Sequence, residues 1–355
     1  MIDMLRVVDL HKRLGDFELR EINIDVEDGE IFVVLGPSGA GKTTLLDCIA
    51  GFKTVDRGHI YLNDEDITVL PPEYRNIGYI PQEPALFPHM DVFRNIEYGL
   101  KLRGIQREER KRRVLEVAKF LEIDNLLGRY PNDLSGGEKQ RVSLARPLAI
   151  EPKAMLMDEP LAHIDPILRE DLRNYIRKIA SRLNVPTIYV THDQSEAFAI
   201  ADSLAIMNGG LIVEKGKPDT LLDRPKKLFS ARFLGYRNIF DGQVAETLEN
   251  ISIIEVNNVK FRVPGNYHGY ITIGFRPEDV IVFREKPISS IQNMFKATIK
   301  EIINEGPISR ILFDVGIKIE GVITRRSLME LGLKKGEKVY IGIKSTSIRT
   351  FTKNS

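Results

Sequence analysis

Residues 31–50 read IFVVLGPSGAGKTTLLDCIA. Five apolar residues predict a buried strand, a glycine-rich turn follows, and Lys42, Thr43 and Thr44 open a helix of apolar pattern. That order leaves few folds open. A strand that passes through such a turn directly into a helix points successive backbone N–H groups at one spot, with the positive end of the helix aimed at the same place. The spot suits phosphate. Gly36, Gly39 and Gly41 let the backbone curl, and Pro37, Ser38 and Ala40 complete the loop. Lys42 is spaced to reach the outer phosphates, and the Thr43 hydroxyl is a ligand for Mg²⁺.

Two further apolar strands end in chemistry. Residues 154–160 (AMLMDEP) finish in Asp158 and Glu159, and residues 187–192 (TIYVTH) finish in His192. In an open α/β sheet, residues at strand carboxyl ends face the ligand crevice, so Lys42, Asp158, Glu159 and His192 are expected to form one constellation. Residues 77–90 (IGYIPQEPALFPHM) predict a strand followed by Pro81, Pro84 and Pro88, which puts Gln82 on an extended, exposed loop. Ser135, ahead of Gly136 and Gly137, starts another helix with unpaired N–H groups, a second place suited to phosphate.

Around these motifs, residues 4–35 alternate with period two and predict an antiparallel sheet running into strand 31–35, so the phosphate loop is expected to hang from a sheet edge. Residues 91–130 turn helical, with Val114, Val117, Ala118 and Leu121 on one face and a basic cluster from Arg107 to Arg113 on the other, read as a solvated face. From about residue 236 short strands and Gly/Pro turns take over. This tail repeats itself: NIFDGQV (238–244) matches NMFKATI (293–299), and GFRPEDV (274–280) falls in the place of GIKSTSI (342–348). Two small β-barrel modules are expected, about 237–285 and 291–355.

Charge and cysteine usage narrow the setting. Lys plus Arg number 51 against 50 for Asp plus Glu, so no global field draws the chain to nucleic acid or lipid. The single cysteine, Cys48, sits on the helix after the phosphate loop and is expected to be buried; a reducing, cytoplasmic location fits. The amino terminus, MIDMLRVVDLHKR, carries charges that rule against a signal peptide. No apolar run approaches the roughly 20 residues that span a bilayer, so work at a membrane is expected to go through a partner chain.

With LSGGEKQR (134–141) added to the phosphate loop, the Gln82 loop, AMLMDEP and His192, residues 1–236 resemble the ATP-binding-cassette (ABC) ATPases. The resemblance implies an α/β, ABC-type P-loop domain: a RecA-like core with antiparallel β and helical subdomains, the latter at about 88–150. It implies ATP and Mg²⁺, with Thr43, Gln82 and Asp158 at the metal, Glu159 acting on the attacking water, and His192 on the γ-phosphate. It also implies a head-to-tail homodimer, in which ATP on Lys42 of one copy is covered by Ser135, Gly136, Gly137 and Glu138 of the other and Asp165 links the two sites. Three departures stand out. Leu14 falls where the family places an aromatic residue on adenine, with Phe17 the nearest alternative; the loop after Pro160 reads LAHID, with Ala162 and His163 where a serine and a second alanine are usual; and Pro147 is expected to kink its helix.

The tail resembles the OB-like TOBE (Mop-like) modules of importer ATPases for maltose, polyamines and molybdate. Its second module, NMFKATI with GVITRRSLMELGLKKGEKVYIGIKSTSI, is similar to the molybdate/tungstate-binding module. A tetrahedral dianion wants convergent donors and a cation, and Ser327, Lys344, Ser345 and Ser347 with Arg325 or Arg326 match by type. The resemblance thus implies the ATPase subunit of a molybdate or tungstate importer, peripheral on the cytoplasmic face of the membrane. Its permease is expected beside the Gln82 loop at exposed Phe87, Pro88 and Met90, with an extracellular or periplasmic binding protein as an indirect partner. The alternative keeps the motor but changes the cargo to ferric iron, sulfate, sugar or polyamine, and leaves the tail to dimerisation. A cassette acting on ribosomes or DNA fits poorly with one copy of each motif and no heptad pattern.

Overall fold

Strand Ile31–Leu35 is buried at all five positions, a pattern that belongs in the interior of a parallel sheet. In the computed structural model, which describes residues 4–162 and 164–351, it is the third of six strands, in the order 211–216, 203–208, 31–35, 187–191, 154–158, 77–80. All neighbours pair in parallel except the hairpin strand Leu211–Gly216. The expectation of a sheet edge is therefore corrected. Residues 4–27 do form an antiparallel pair, Met4–Leu14 with Phe17–Glu27, but these strands join Arg57–Leu62 and Glu65–Asp66 in a separate four-stranded sheet. An all-buried strand needs cover on both faces, which an edge beside an amphipathic hairpin does not give.

The helical segment comprises Val92–Leu102, Arg107–Phe120 and Gly136–Ala149. Three arginines of its basic cluster form ion pairs at the surface: Arg110 with Glu97 at 2.8 Å, Arg112 with Glu109 at 2.7 Å, and Arg113 with Glu109 at 2.7 Å and Glu151 at 3.0 Å. The third helix runs through Pro147, which has no N–H to give the Ser143 carbonyl one turn earlier, and ends at Ala149. Cys48 lies fully buried, and burial pushes its thiol up to about 11.

The chain divides into two compact units between Leu221 and Leu222, ahead of the boundary expected near 236. The shift has a packing cause: Leu228, Ala231 and Tyr236 cluster with Ile239 and Phe351, so the stretch before 236 belongs with the tail.

Within the second unit the two repeats exchange their last strands. One sheet runs 259–264, 251–256, 238–248, 270–275, 349–351, and the other runs 318–324, 308–314, 293–305, 338–343, 281–283. Each fifth strand comes from the opposite repeat, so the two related modules interlock. Phe261 and Phe275 from the first repeat share one core with Ile299, Phe313 and Ile341 from the second. Equivalent asparagines lock the exchange. Asn238 donates to the Glu320 carbonyl at 2.8 Å and accepts from its N–H at 2.7 Å; Asn293 treats Arg262 the same way, at 3.0 and 2.6 Å. Both asparagines are nearly fully buried, so loss of either clamp would strand backbone polar groups inside.

Candidate functional site

The parallel register brings three strand ends to one level. Leu35 is opposite Thr191, and Asp158 is opposite Val190, so the phosphate loop, Asp158–Glu159 and His192 all leave the sheet on the same side. Backbone bonds tie the exits together: Gly36 N–H donates to Thr191 at 3.3 Å and Glu159 N–H to Val190 at 3.0 Å. The latter holds Glu159 at φ 43, a left-handed conformation rare for a residue with a Cβ.

Two glycines are required by contact as well as by curvature. A Cβ on Gly36 would lie 2.3 Å from the Met207 carbonyl oxygen, and one on Gly41, at φ 104, would lie 2.5 Å from the Phe17 ring. Helix Lys42–Ala50 starts immediately behind. Lys42 is 5% exposed; its ammonium donates to the Gly36 and Pro37 carbonyls at 2.9 and 3.1 Å and lies 3.3 Å from Glu159 Oε1. His192 Nδ1 is 2.7 Å from the other Glu159 oxygen. Lysine, glutamate and histidine thus form one contiguous chain of contacts at the carboxyl side of the sheet.

Thr43 Oγ1 donates to Asp158 Oδ1 at 3.1 Å, and the Tyr79 hydroxyl donates to Oδ2 at 3.4 Å. Burial pushes the Asp158 carboxyl above its ordinary range, while the Thr43 bond pulls it back. Tyr79 was not anticipated from the sequence; its signal was the register of strand Ile77–Ile80, which pairs with Ala154–Asp158. Thr43, Asp158 and Gln82 offer a hydroxyl, a carboxylate and an amide oxygen, a hard-oxygen set suited to Mg²⁺ shared with phosphates. Among the described residues no cluster of three or more His, Cys, Asp or Glu side chains stands ready to cage a metal by itself.

Ser38, Gly39, Gly41, Lys42, Thr43, Thr44, Gln82 and Glu159 line a cleft of about 590 Å³ whose outer wall is Leu14 and Phe17. Leu14 is 38% exposed, whereas Phe17 is half-buried beneath Gly41 and therefore fixed. A flat base needs a rigid platform, so Phe17→Ala is expected to weaken ATP binding roughly tenfold and Leu14→Ala less than twofold, measured by calorimetric titration.

Ser135, Gly137 and Glu138 line a different cavity, of about 480 Å³, with Arg141, Leu168 and Tyr175. Ser135 caps helix Gly136–Ala149 in a reciprocal box: its N–H donates to Glu138 Oε2 at 2.7 Å, and Glu138 N–H donates to its hydroxyl at 3.3 Å. The first of these bonds holds the Glu138 carboxyl below its ordinary value. Within one chain, then, the Ser-Gly-Gly start and Lys42 serve separate cavities. Asp165 is exposed just ahead of helix Pro166–Leu183, and His163 lies outside the described residues.

The Gln82 loop departs from expectation. Gln82 and Pro88 are exposed, but Phe87 and Met90 are half-buried. Asn95, fully buried, accepts from Phe87 N–H at 2.8 Å and donates to the Phe87, Met90 and Asp91 carbonyls, while the Phe87 ring packs on Tyr98 and under the Arg146 guanidinium. These residues anchor the loop. The apolar surface beside it is instead a groove of about 300 Å³ with Phe52, Pro81, Ala85 and Tyr98 in its walls.

In the tail, the oxyanion candidates fall at two places. Exposed Lys344 with Ser345 and Ser347 follows strand Lys338–Ile343, whose end pairs with Asn293; exposed Arg325 and Arg326 with Ser327 follow strand Lys318–Thr324, whose end lies across Ile308 from Glu305. Strand Asn293–Glu305 runs between, so the two groups stand near its opposite ends. Within one chain the candidates therefore form two groups rather than one. Ser345 accepts from Asn293 Nδ2 at 3.2 Å and donates to Gln292 at 3.1 Å, while Ser327 pairs with Thr324 at 2.9 Å.

A phosphate loop from an interior parallel strand, with an acid pair and a histidine at neighbouring strand ends, defines the class of P-loop nucleoside-triphosphate hydrolases. Comparison with known proteins narrows this. A family model described as ABC transporter matches residues 19–162, and one described as TOBE domain matches 289–349. A molybdate/tungstate import ATP-binding protein WtpC of Pyrococcus horikoshii is 44% identical over 349 residues, 98% of this chain and 100% of the relative. An Fe(3+) ions import ATP-binding protein FbpC of Fusobacterium nucleatum is 36% identical over 99% of this chain and 94% of its own. The crystal structure of the ADP conformation of an ATP-binding cassette of an ABC transporter superposes with a TM-score of 0.59 at 26% identity, covering 65% of this chain and 99% of that one. The chain belongs to the ABC transporter family, as the ATP-binding subunit of an import system, and it is an ATPase. Among the described residues no helix is long and apolar enough to cross a membrane.

Proposed function

We propose that the chain drives import of molybdate or tungstate, and that the observation carrying this reading is likeness to a molybdate/tungstate import protein over both units rather than the cassette alone. The cassette is blind to cargo. The tail is where cargo-specific residues belong, and Lys344, Ser345 and Ser347 supply a cation and hydroxyl donors on one turn. Ferric iron is the second reading, supported by the full-length iron-import relative.

In this mechanism the loop amides and Lys42 hold the β- and γ-phosphates against the helix start. Thr43, Asp158 and Gln82 would hold Mg²⁺, which supplies charge neutralisation of the phosphates when bound. Glu159 orients and deprotonates the attacking water, and His192, already 2.7 Å from Glu159, keeps that carboxylate aimed and contacts the γ-phosphate. Among the described residues Ser135 and Gly137 line another cavity and not this cleft. A second copy arranged head-to-tail supplies them, and Asp165 links the two sites. The groove beside the Gln82 loop receives the permease on the cytoplasmic face, so that Gln82 senses the nucleotide and the groove transmits closure. An external binding protein delivers the cargo to that permease.

Because the Arg325 and Lys344 groups follow opposite ends of strand Asn293–Glu305, an oxyanion held by both takes them from different copies. Occupancy of that site reports internal supply and restrains the motor. Titrating the full-length protein with tungstate, molybdate, sulfate and ferric ion is expected to give saturable heat with the first two, at least tenfold weaker in Lys344→Ala and in Arg325→Ala. Silence with every ion would reduce the tail to a dimerisation module.

A further inference from the structure

Behind the Glu159–His192 pair, a second layer of side chains joins the segments that follow each of them. His192 sits in the turn between strand Thr187–Thr191 and helix Gln194–Ile200. That turn is stapled from inside. Asp193 N–H donates to Thr191 Oγ1 at 3.0 Å, and Asp193 Oδ1 accepts from Glu196 N–H at 3.1 Å. The Thr191 and Tyr189 hydroxyls both donate to Glu196 Oε2, at 2.9 and 3.0 Å, and Glu196 is 5% exposed. Moving the turn would break buried hydrogen bonds, so it moves as a body.

That body has a handle. Asp193 Oδ2 lies 3.6 Å from Arg169 Nη1, and Arg169 Nε donates to the Ile164 carbonyl at 2.9 Å. Ile164 stands immediately before Asp165 on the segment that continues from Glu159. A planar guanidinium can hydrogen-bond one segment through Nε while its charge faces the other through Nη1, which an ammonium on a flexible stem does not reproduce.

We propose that Arg169 is a positioning residue for ATP hydrolysis: by hydrogen-bonding the Ile164 carbonyl and pairing its charge with the Asp193 carboxylate, it sets the Glu159–His192 geometry and passes displacement of the Asp165 segment to the histidine. The proposal rests on the roles given above to Glu159 and His192. A contact of 2.7 Å leaves little slack, and displacement of about 1 Å in such a site costs up to roughly 100-fold in rate.

The test measures kcat, KM for ATP, ATP affinity and melting temperature for full-length Arg169→Ala, Arg169→Lys, Asp193→Asn and the Arg169→Ala/Asp193→Asn pair, with Glu159→Gln alongside. Arg169→Ala is expected to lower kcat roughly 10- to 100-fold with KM changed less than about twofold. The double variant is expected to be no slower than Arg169→Ala alone, because both changes cut one strut. Arg169→Lys keeps the charge but releases Ile164, so its kcat is expected to fall too; it carries the test if the alanine variant does not fold. Unchanged kcat, additive losses, or a loss that tracks lowered melting temperature or ATP affinity would overturn the proposal. Normal hydrolysis by Glu159→Gln would instead overturn the underlying assignment of the base, whatever Arg169 does.

Discussion

Glu159→Gln is expected to cut steady-state ATP turnover about 1,000-fold, close to 4 kcal/mol in the barrier, while ATP still binds. The substitution is nearly isosteric. It leaves an amide that can still bond His192 Nδ1, and it does not disturb the Glu159 N–H bond to Val190 that fixes the residue at φ 43. What it removes is the basic oxygen, together with the negative charge 3.3 Å from Lys42. Losing that charge frees the ammonium for phosphate, so affinity for ATP is expected to hold or rise. Binding measured by calorimetry and hydrolysis measured by phosphate release separate the two effects. A variant that turns over near the normal rate would take Glu159 out of the chemistry and pass the role to a residue outside the present constellation.

Mixing two dead variants is expected to restore activity. Lys42→Ala removes the phosphate lysine, and Ser135→Arg blocks the Ser-Gly-Gly helix start, so each homodimer should hydrolyse at background rate. In a two-fold dimer where Lys42 of one copy faces Ser135 of the other, a mixed pair has one site with both lesions and one with neither. Random exchange makes about half of the dimers mixed, each with one of two sites intact, so an equimolar mixture should recover about a quarter of normal activity. Recovery on this scale has no explanation if each chain completes its own site. The physical ground is the separation of the two cavities within one chain, one bearing Lys42 and the other Ser135. No recovery, with subunit exchange verified by labelled chains, would sink the head-to-tail arrangement.

The chemistry was legible in the sequence because it depends on short-range order: a strand, a glycine turn and a helix start suffice to define a phosphate loop, and acids or a histidine at strand ends follow the same logic. Long-range arrangement was less so. Alternation in residues 4–27 identified an antiparallel pair but not that strand Ile31–Leu35 leaves it for the interior of another sheet; the five consecutive apolar residues carried that information. Phe87 looked like an exposed apolar contact because its anchor, Asn95, is a polar residue on the next helix, and polar residues at helical positions are usually read as solvent-facing. Arg169 had no local signature, since both of its partners are reached only after folding. Asp193 did have one: Asp-Gln-Ser-Glu at 193–196 is a helix-start pattern, and its cap is formed.

The strand exchange in the tail has a practical corollary for dissecting it. A cut anywhere between Phe283 and Asn293 yields two fragments that each lack their fifth strand: the first half loses Arg349–Phe351, and the second loses Ile281–Phe283. Each fragment would bare an apolar sheet margin and invite foreign pairing. Trimming the carboxyl terminus to improve crystals carries the same hazard, because strand Arg349–Phe351 mends the sheet of residues far upstream; a purification tag placed there belongs on a spacer.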